Sequence, residues 1–149
     1  MSSAEFDEIQ TRSETLNVRL VGHCDLNGHG DGMQVIKAGR YVYAAHLGTS
    51  PMALTIVDAA DPTDPRVVTQ LPHPHNTHAH KVQIAGDILI QNQEGPYFDK
   101  TIPASVPNEA GIRIYNISKP TEPREIGYLR LPGKGVHRLR AALVVAEMA

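Results

Sequence analysis

Histidine is the residue type whose number and spacing in this chain point to chemistry. Eight occur in 149 residues, and four fall in the stretch Pro-His-Pro-His-Asn-Thr-His-Ala-His, residues 72–80. Imidazole is the commonest protein ligand for zinc, copper, iron and nickel. In an extended strand His78 and His80 project from one face, because side chains alternate with a period of two, and a pair of metal ligands needs that arrangement. A plainer reading competes with this one: a histidine at a strand start can cap backbone groups or line a wet channel without binding anything. His73 and His75 stand among prolines and are expected to be exposed, while His23 and His46 are isolated.

Several other chemistries are excluded by spacing. Asp25-Leu-Asn-Gly-His-Gly-Asp-Gly begins as a calcium loop does, with oxygen ligands at Asp25, Asn27 and Asp31. An EF-hand, however, needs Asp or Asn where His29 stands, a bidentate Glu where Ile36 stands, and flanking helices. No Gly-x-Ser-x-Gly occurs, and Gly133-Lys134-Gly135 lacks the rest of a phosphate loop. The lone Cys24 rules out an internal disulfide framework and has no defined activating context, although beside His23 it could serve as a metal ligand. A net charge of −2 gives no reason to expect nucleic acid or an anionic membrane as partner. No apolar run approaches the roughly 20 residues of a membrane span. The acidic N-terminus has no apolar signal core, so a soluble, cytoplasmic protein is expected.

What would position these residues is an internal repeat. Leu54-Thr-Ile-Val-Asp58 and the turn after it, residues 54–66, reappear as residues 112–124. Ile56 matches Ile114, Pro62 Pro120, Thr63 Thr121, Pro65 Pro123 and Arg66 Arg124, while Asp64 becomes Glu122. Upstream, Met33–Gly39 and Arg40–Leu47 correspond to His80–Gly86 and Asp87–Glu94. Val82, Ile84, Ile88 and Ile90 alternate with other residues as strand residues do, and Gly39 and Gly86 fall where a tight hairpin turn is required. The two prolines of each Pro-Thr-Asp/Glu-Pro segment bar a central strand and mark a turn.

Each unit therefore reads as four short strands, at 33–38, 40–47, 53–58 and 66–71, then at 80–85, 87–93, 111–116 and 124–131. The units differ because a long loop, 95–110, replaces a short connection after Leu47. Four antiparallel strands in 40–50 residues is the size of a β-propeller blade. Arg19–Leu26 matches the last strand of each unit and is expected to be an outer closing strand without a blade of its own. Residues 1–16 read as a flexible lead-in, 17–138 as two blades with that strand, and 139–149 as an off-pattern, helix-like tail. An ordinary eight-stranded sandwich is the alternative, but it would not require the repeat.

Leu54-Thr55-Ile56-Val57-Asp58, followed by Asp61-Pro62-Thr63-Asp64-Pro65, resembles the LVIVD-repeat family of β-propeller proteins, with four of five motif letters matched. The second copy, Ile112–Asn116, departs further but keeps its Pro-Thr-Glu-Pro turn. The resemblance covers about residues 19–138 and implies an all-β propeller rather than any particular activity. The repeat stops short: position 143 should be a turn glycine and is Leu143. Two blades cannot close a ring of 4–8, so the pattern points to a fragment of a longer propeller, the alternative being a short protein whose tail packs as a helix. Open blade edges would favour self-association.

The repeat also sharpens the histidine reading. It aligns His80 with His137, each at the mouth of an innermost strand facing a propeller's central channel. Met33 holds that place in the first unit, with Asp31 aligned to His78 and His29 nearby. His78, His80, His137 and His29 are therefore the expected ligands of an axial divalent transition metal. Lys81 and Arg138, which follow the aligned histidines, and Asp31 are candidates for binding a ligand; as alternating neighbours, Lys81 and Arg138 could equally pair with acids between blades. The function expected first is a module that binds a small molecule or a protein, or serves as a scaffold, without catalysis. The second is a metal-dependent hydrolase or oxidase.

Overall fold

The computed structural model describes residues 16–48, 50–74, 76–95, 101, 103 and 105–142. Its strands are β1 (Gly32–Ala38), β2 (Tyr41–His46), β3 (Met52–Asp58), β4 (Arg66–Pro72), β5 (Val82–Ala85), β6 (Ile88–Gln93), β7 (Gly111–Asn116) and β8 (Arg124–Arg130). They form two four-stranded antiparallel sheets, each in simple sequence order, β1 to β4 and β5 to β8. The fold is all-β, and each sheet is one copy of the repeat. No helix among the described residues is long and apolar enough to cross a membrane.

The repeat is geometric as well as textual. The residues closing its central strand, Asp58 and Asn116, each accept a backbone N–H from two residues on, Ala60 and Ser118, both at 3.0 Å. A short acceptor side chain at that point starts the turn that the prolines then continue. The β-bulges recur too, between Ile56 and Val57 in the first sheet and between Ile114 and Tyr115 in the second. Gly39 and Gly86 turn the first hairpin of each sheet at φ +58° and +59°.

One apolar core joins the sheets. Tyr43, Ala45, Leu54 and Ile56 pack with Val82, Leu89, Tyr115 and Ile117, where β5 lies against β1 and β2. Polar links cross the same boundary: the Val82 N–H donates to Gln34 Oε1 at 2.9 Å, and Gln91 Nε2 donates to the Ala53 carbonyl at 2.8 Å.

One expectation is corrected, and two others bear on segments with little or no regular structure among the described residues. Residues 19–25 form no strand and lead into a 3₁₀ turn at Leu26–Gly28. Gly22 instead runs against the turn after β3, so close that a Cβ on it would lie 2.0 Å from the Pro62 carbonyl oxygen. A strand needs a neighbour with which to exchange backbone hydrogen bonds, and this segment meets a turn. In the tail, residues 138–142 have no regular structure, and 143–149 lie outside the described residues, as do 1–15 of the lead-in. His73 is not exposed: both of its ring nitrogens are buried. His75 lies outside the described residues.

Candidate metal centre

The site is built where the second sheet loses its regular pairing. After Gln93 the chain continues as Glu94, which makes isolated bridges to His78 on one side and Gly135 on the other. His78 and Glu94 exchange both backbone hydrogen bonds, N–H to O in each direction at 2.9 Å. Directly opposed residues in an antiparallel pair place their side chains on the same face. His80 stands two residues beyond His78, and His137 two beyond Gly135, so period-2 alternation brings both back toward Glu94.

The result is three imidazoles around one carboxylate. His78 Nε2 is 2.9 Å from Glu94 Oε2, and His137 Nδ1 is 3.0 Å from Glu94 Oε1. The His78 and His80 rings stack with centroids 5.2 Å apart and 19° between planes, while His80 and His137 lie 4.8 Å apart at 48°. His78, His80 and Glu94 are buried and present ligand atoms that all lie within 4.8 Å of one another. This cluster can hold a metal ion.

His80 decides between a ligand set and an ordinary polar cluster. Glu94 satisfies His78 and His137, which is what a buried carboxylate does to lower its own desolvation cost. His80 is 2 % exposed, yet neither ring nitrogen has a hydrogen-bond partner; Glu94 Oε2 lies 3.9 Å from its Nδ1, beyond hydrogen-bond reach. A buried polar atom without a partner costs about 1–3 kcal/mol. Burial and the neighbouring histidines push the His80 pKa down to about 4, and burial lowers that of His78. Both therefore present neutral imidazole, the form that binds metal. On loading, a metal would replace the proton that His78 shares with Glu94. Tetrahedral zinc at about 2.0–2.1 Å from its ligands requires donors about 3.3 Å apart, so the widest separation here would have to close by about 1.5 Å.

The loops carrying the histidines are fixed by β6. Buried Asn92 accepts the Lys81 N–H at Oδ1, 2.8 Å, and donates from Nδ2 to the Val136 carbonyl at 2.9 Å, gripping the residue after His80 and the residue before His137. Gln93 Oε1 accepts the Thr77 hydroxyl at 3.0 Å, beside His78. Gly48 and Gly135 let backbone press on the site: a Cβ would come within 2.4 Å of His78 Cβ at the first and 2.3 Å of the Gln93 carbonyl oxygen at the second. The cluster opens on a pocket of about 400 Å³ lined by Met33, Leu47, His78, His80, Glu94, Lys134 and His137.

Of the ligands expected from sequence, His78, His80 and His137 come together. His29 is outside the group of possible ligands and sits at the end of the Leu26–Gly28 turn, its N–H 3.3 Å from the Leu26 carbonyl. Asp31, aligned with His78, turns instead to His46: its Oδ1 accepts His46 Nδ1–H at 2.7 Å, and its Oδ2 accepts the N–H groups of Gly48 and Ser50. His46 Nε2 is 2.8 Å from the Thr55 hydroxyl, and both of these side chains are fully buried, so this isolated histidine is structural. Lys81 and Arg138 line a separate pocket. Glu94 was missed by sequence reasoning; the signal was there, since the repeat aligns it with Leu47, and a carboxylate in a buried apolar position needs a reason.

No family model matches the sequence, and no curated protein matches it significantly.

Proposed function

We propose that the chain is a metal-binding module made of two adjacent β-propeller blades, with a divalent transition metal held by His78, His80 and Glu94 and attended by His137. The observation that carries this is the buried His80 ring, which has no hydrogen-bond partner and stands among neutral imidazole and carboxylate donors. The blade reading draws support from where repeat-equivalent positions meet: Met33, His80 and His137 line one pocket, and Gln34, Lys81 and Arg138 line another. Equivalent residues converge in this way around a rotational axis. The LVIVD-like motif is consistent with such an architecture.

The test is the metal content of the purified chain beside its His80→Ala variant. Near-stoichiometric metal in the wild type and none in the folded variant is the expected result. A well-folded wild type that stays metal-free after exposure to zinc, iron and copper would overturn the proposal and leave a non-catalytic binding scaffold. A second reading, metal-dependent hydrolysis or oxidation, is favoured by one feature: His78, His80 and Glu94 line the 400 Å³ pocket, and an ion held by three protein ligands would have room there to bind and activate water.

A further inference from the structure

Beside the metal pocket is a second one, of about 340 Å³, lined by Gln34, Lys81, Gln83, Arg138, Leu139 and Arg140. The two pockets share no residue. Their relation follows from the alternation of the chain: His80 and His137 turn to the first, while their neighbours Lys81 and Arg138 turn to the second. Three cationic side chains thus line one pocket, with two amides and no carboxylate. Ion pairs of arginine and lysine among the described residues, such as Arg40 with Asp58, Arg66 with Asp64, Arg113 with Glu109 and Glu125, and Lys119 with Glu122, lie outside this pocket. Like charges gathered around one cavity repel one another, and an anion between them removes that cost. Arginine forks and a lysine ammonium, with amide donors beside them, are the groups that grip planar or tetrahedral oxyanions.

We propose that Lys81, Arg138 and Arg140 form a binding pocket for a polyatomic oxyanion, the phosphate or carboxylate group of a small molecule. Gln34 is already oriented, its Oε1 accepting the Val82 N–H at 2.9 Å. Half-buried Lys81 has its backbone N–H bonded to Asn92, so the point from which its side chain reaches the pocket is fixed before any ligand arrives. The pocket does not depend on the metal reading, since none of its lining residues belongs to the His78–His80–Glu94 group.

The experiment is calorimetric titration of the purified chain with inorganic phosphate and, separately, with succinate. Two double variants accompany it, Arg138→Gln/Arg140→Gln in the pocket and Arg19→Gln/Arg124→Gln elsewhere on the surface, which change the net charge equally. Saturable binding that weakens at least tenfold in the pocket variant and less than twofold in the surface variant is expected; whichever anion gives it identifies the ligand as phosphoryl or carboxylate. All four arginines are exposed, so both variants should melt with the wild type. Lys81→Met, inside the pocket, should reproduce the loss. Binding of neither anion, or equal weakening in the two double variants, overturns the proposal. Metal content unchanged in the pocket variant would show that the two sites fail or stand separately.

Discussion

The corner of the first sheet and the corner of the second occupy one backbone frame and do opposite things with it. Where the first has Asp31, Met33 and Leu47, the second has His78, His80 and Glu94. In the first, the acid is consumed by structure: Asp31 holds His46 and two N–H groups of the following loop. In the second, the acid gathers three imidazoles and leaves one of them unsatisfied. The strand behind the corner differs in step. Ala44, Ala45 and His46 of β2 are matched in β6 by Gln91, Asn92 and Gln93, all buried. A duplicated unit can thus keep one copy for cohesion and load the other with chemistry, because the frame is specified by turns and core while the corner residues are not needed to specify it.

The comparison can be broken most severely at Glu94. Replacing it with leucine, the residue the first sheet uses, removes one ligand and the acceptor for two histidines; metal affinity measured by competition with a chelating dye should fall at least 100-fold. Asn92→Ala, again the first sheet's residue, leaves every ligand in place and releases the loops that carry them. A loss of about 10–100-fold in metal affinity is expected, as for other groups that orient ligands, with about 1–3 kcal/mol of stability lost from unsatisfied backbone groups in chemical denaturation. A metal-free melting series over pH sharpens the contrast more gently. His73 and His80 have pKa values pushed to about 4 in the folded chain, against an ordinary 6.5. The unfolded chain therefore takes up protons first. Stability should be full above pH 6.5 and fall as pH drops toward 4, by up to about 3 kcal/mol for each of the two histidines. His80→Leu should flatten much of that slope.

Much of this architecture was legible in the sequence. All eight strands fall within two residues of the positions that the repeat and its alternation indicate, because Pro-Thr-Asp/Glu-Pro turns and glycine hairpins punctuate the chain at fixed offsets. His78, His80 and His137 were legible as a set because alignment within the chain stands in for spatial position. Glu94 was passed over although the repeat aligns it with Leu47, because its role is set by an isolated bridge to His78 that lies beyond the regular pairing of β5 and β6. Arg19–Leu26 shows a related limit: resemblance to β8 conveys strand propensity, but a strand also needs an edge to join, and these residues form none with the two sheets described. His73 looked exposed because prolines flank it, and local composition does not report what packs over a turn.

Selection has unequal freedom around the pocket. Gly48 and Gly135 touch it with bare backbone, and any side chain at either would displace His78 or Gln93 before it could contribute a function of its own. Those two positions fix the shape of the wall. Met33, Leu47 and Lys134 face the same space with side chains that no ligand role constrains. Divergence in what the site accepts must pass through these three, so descendants of this unit should vary in appetite while keeping the same mouth.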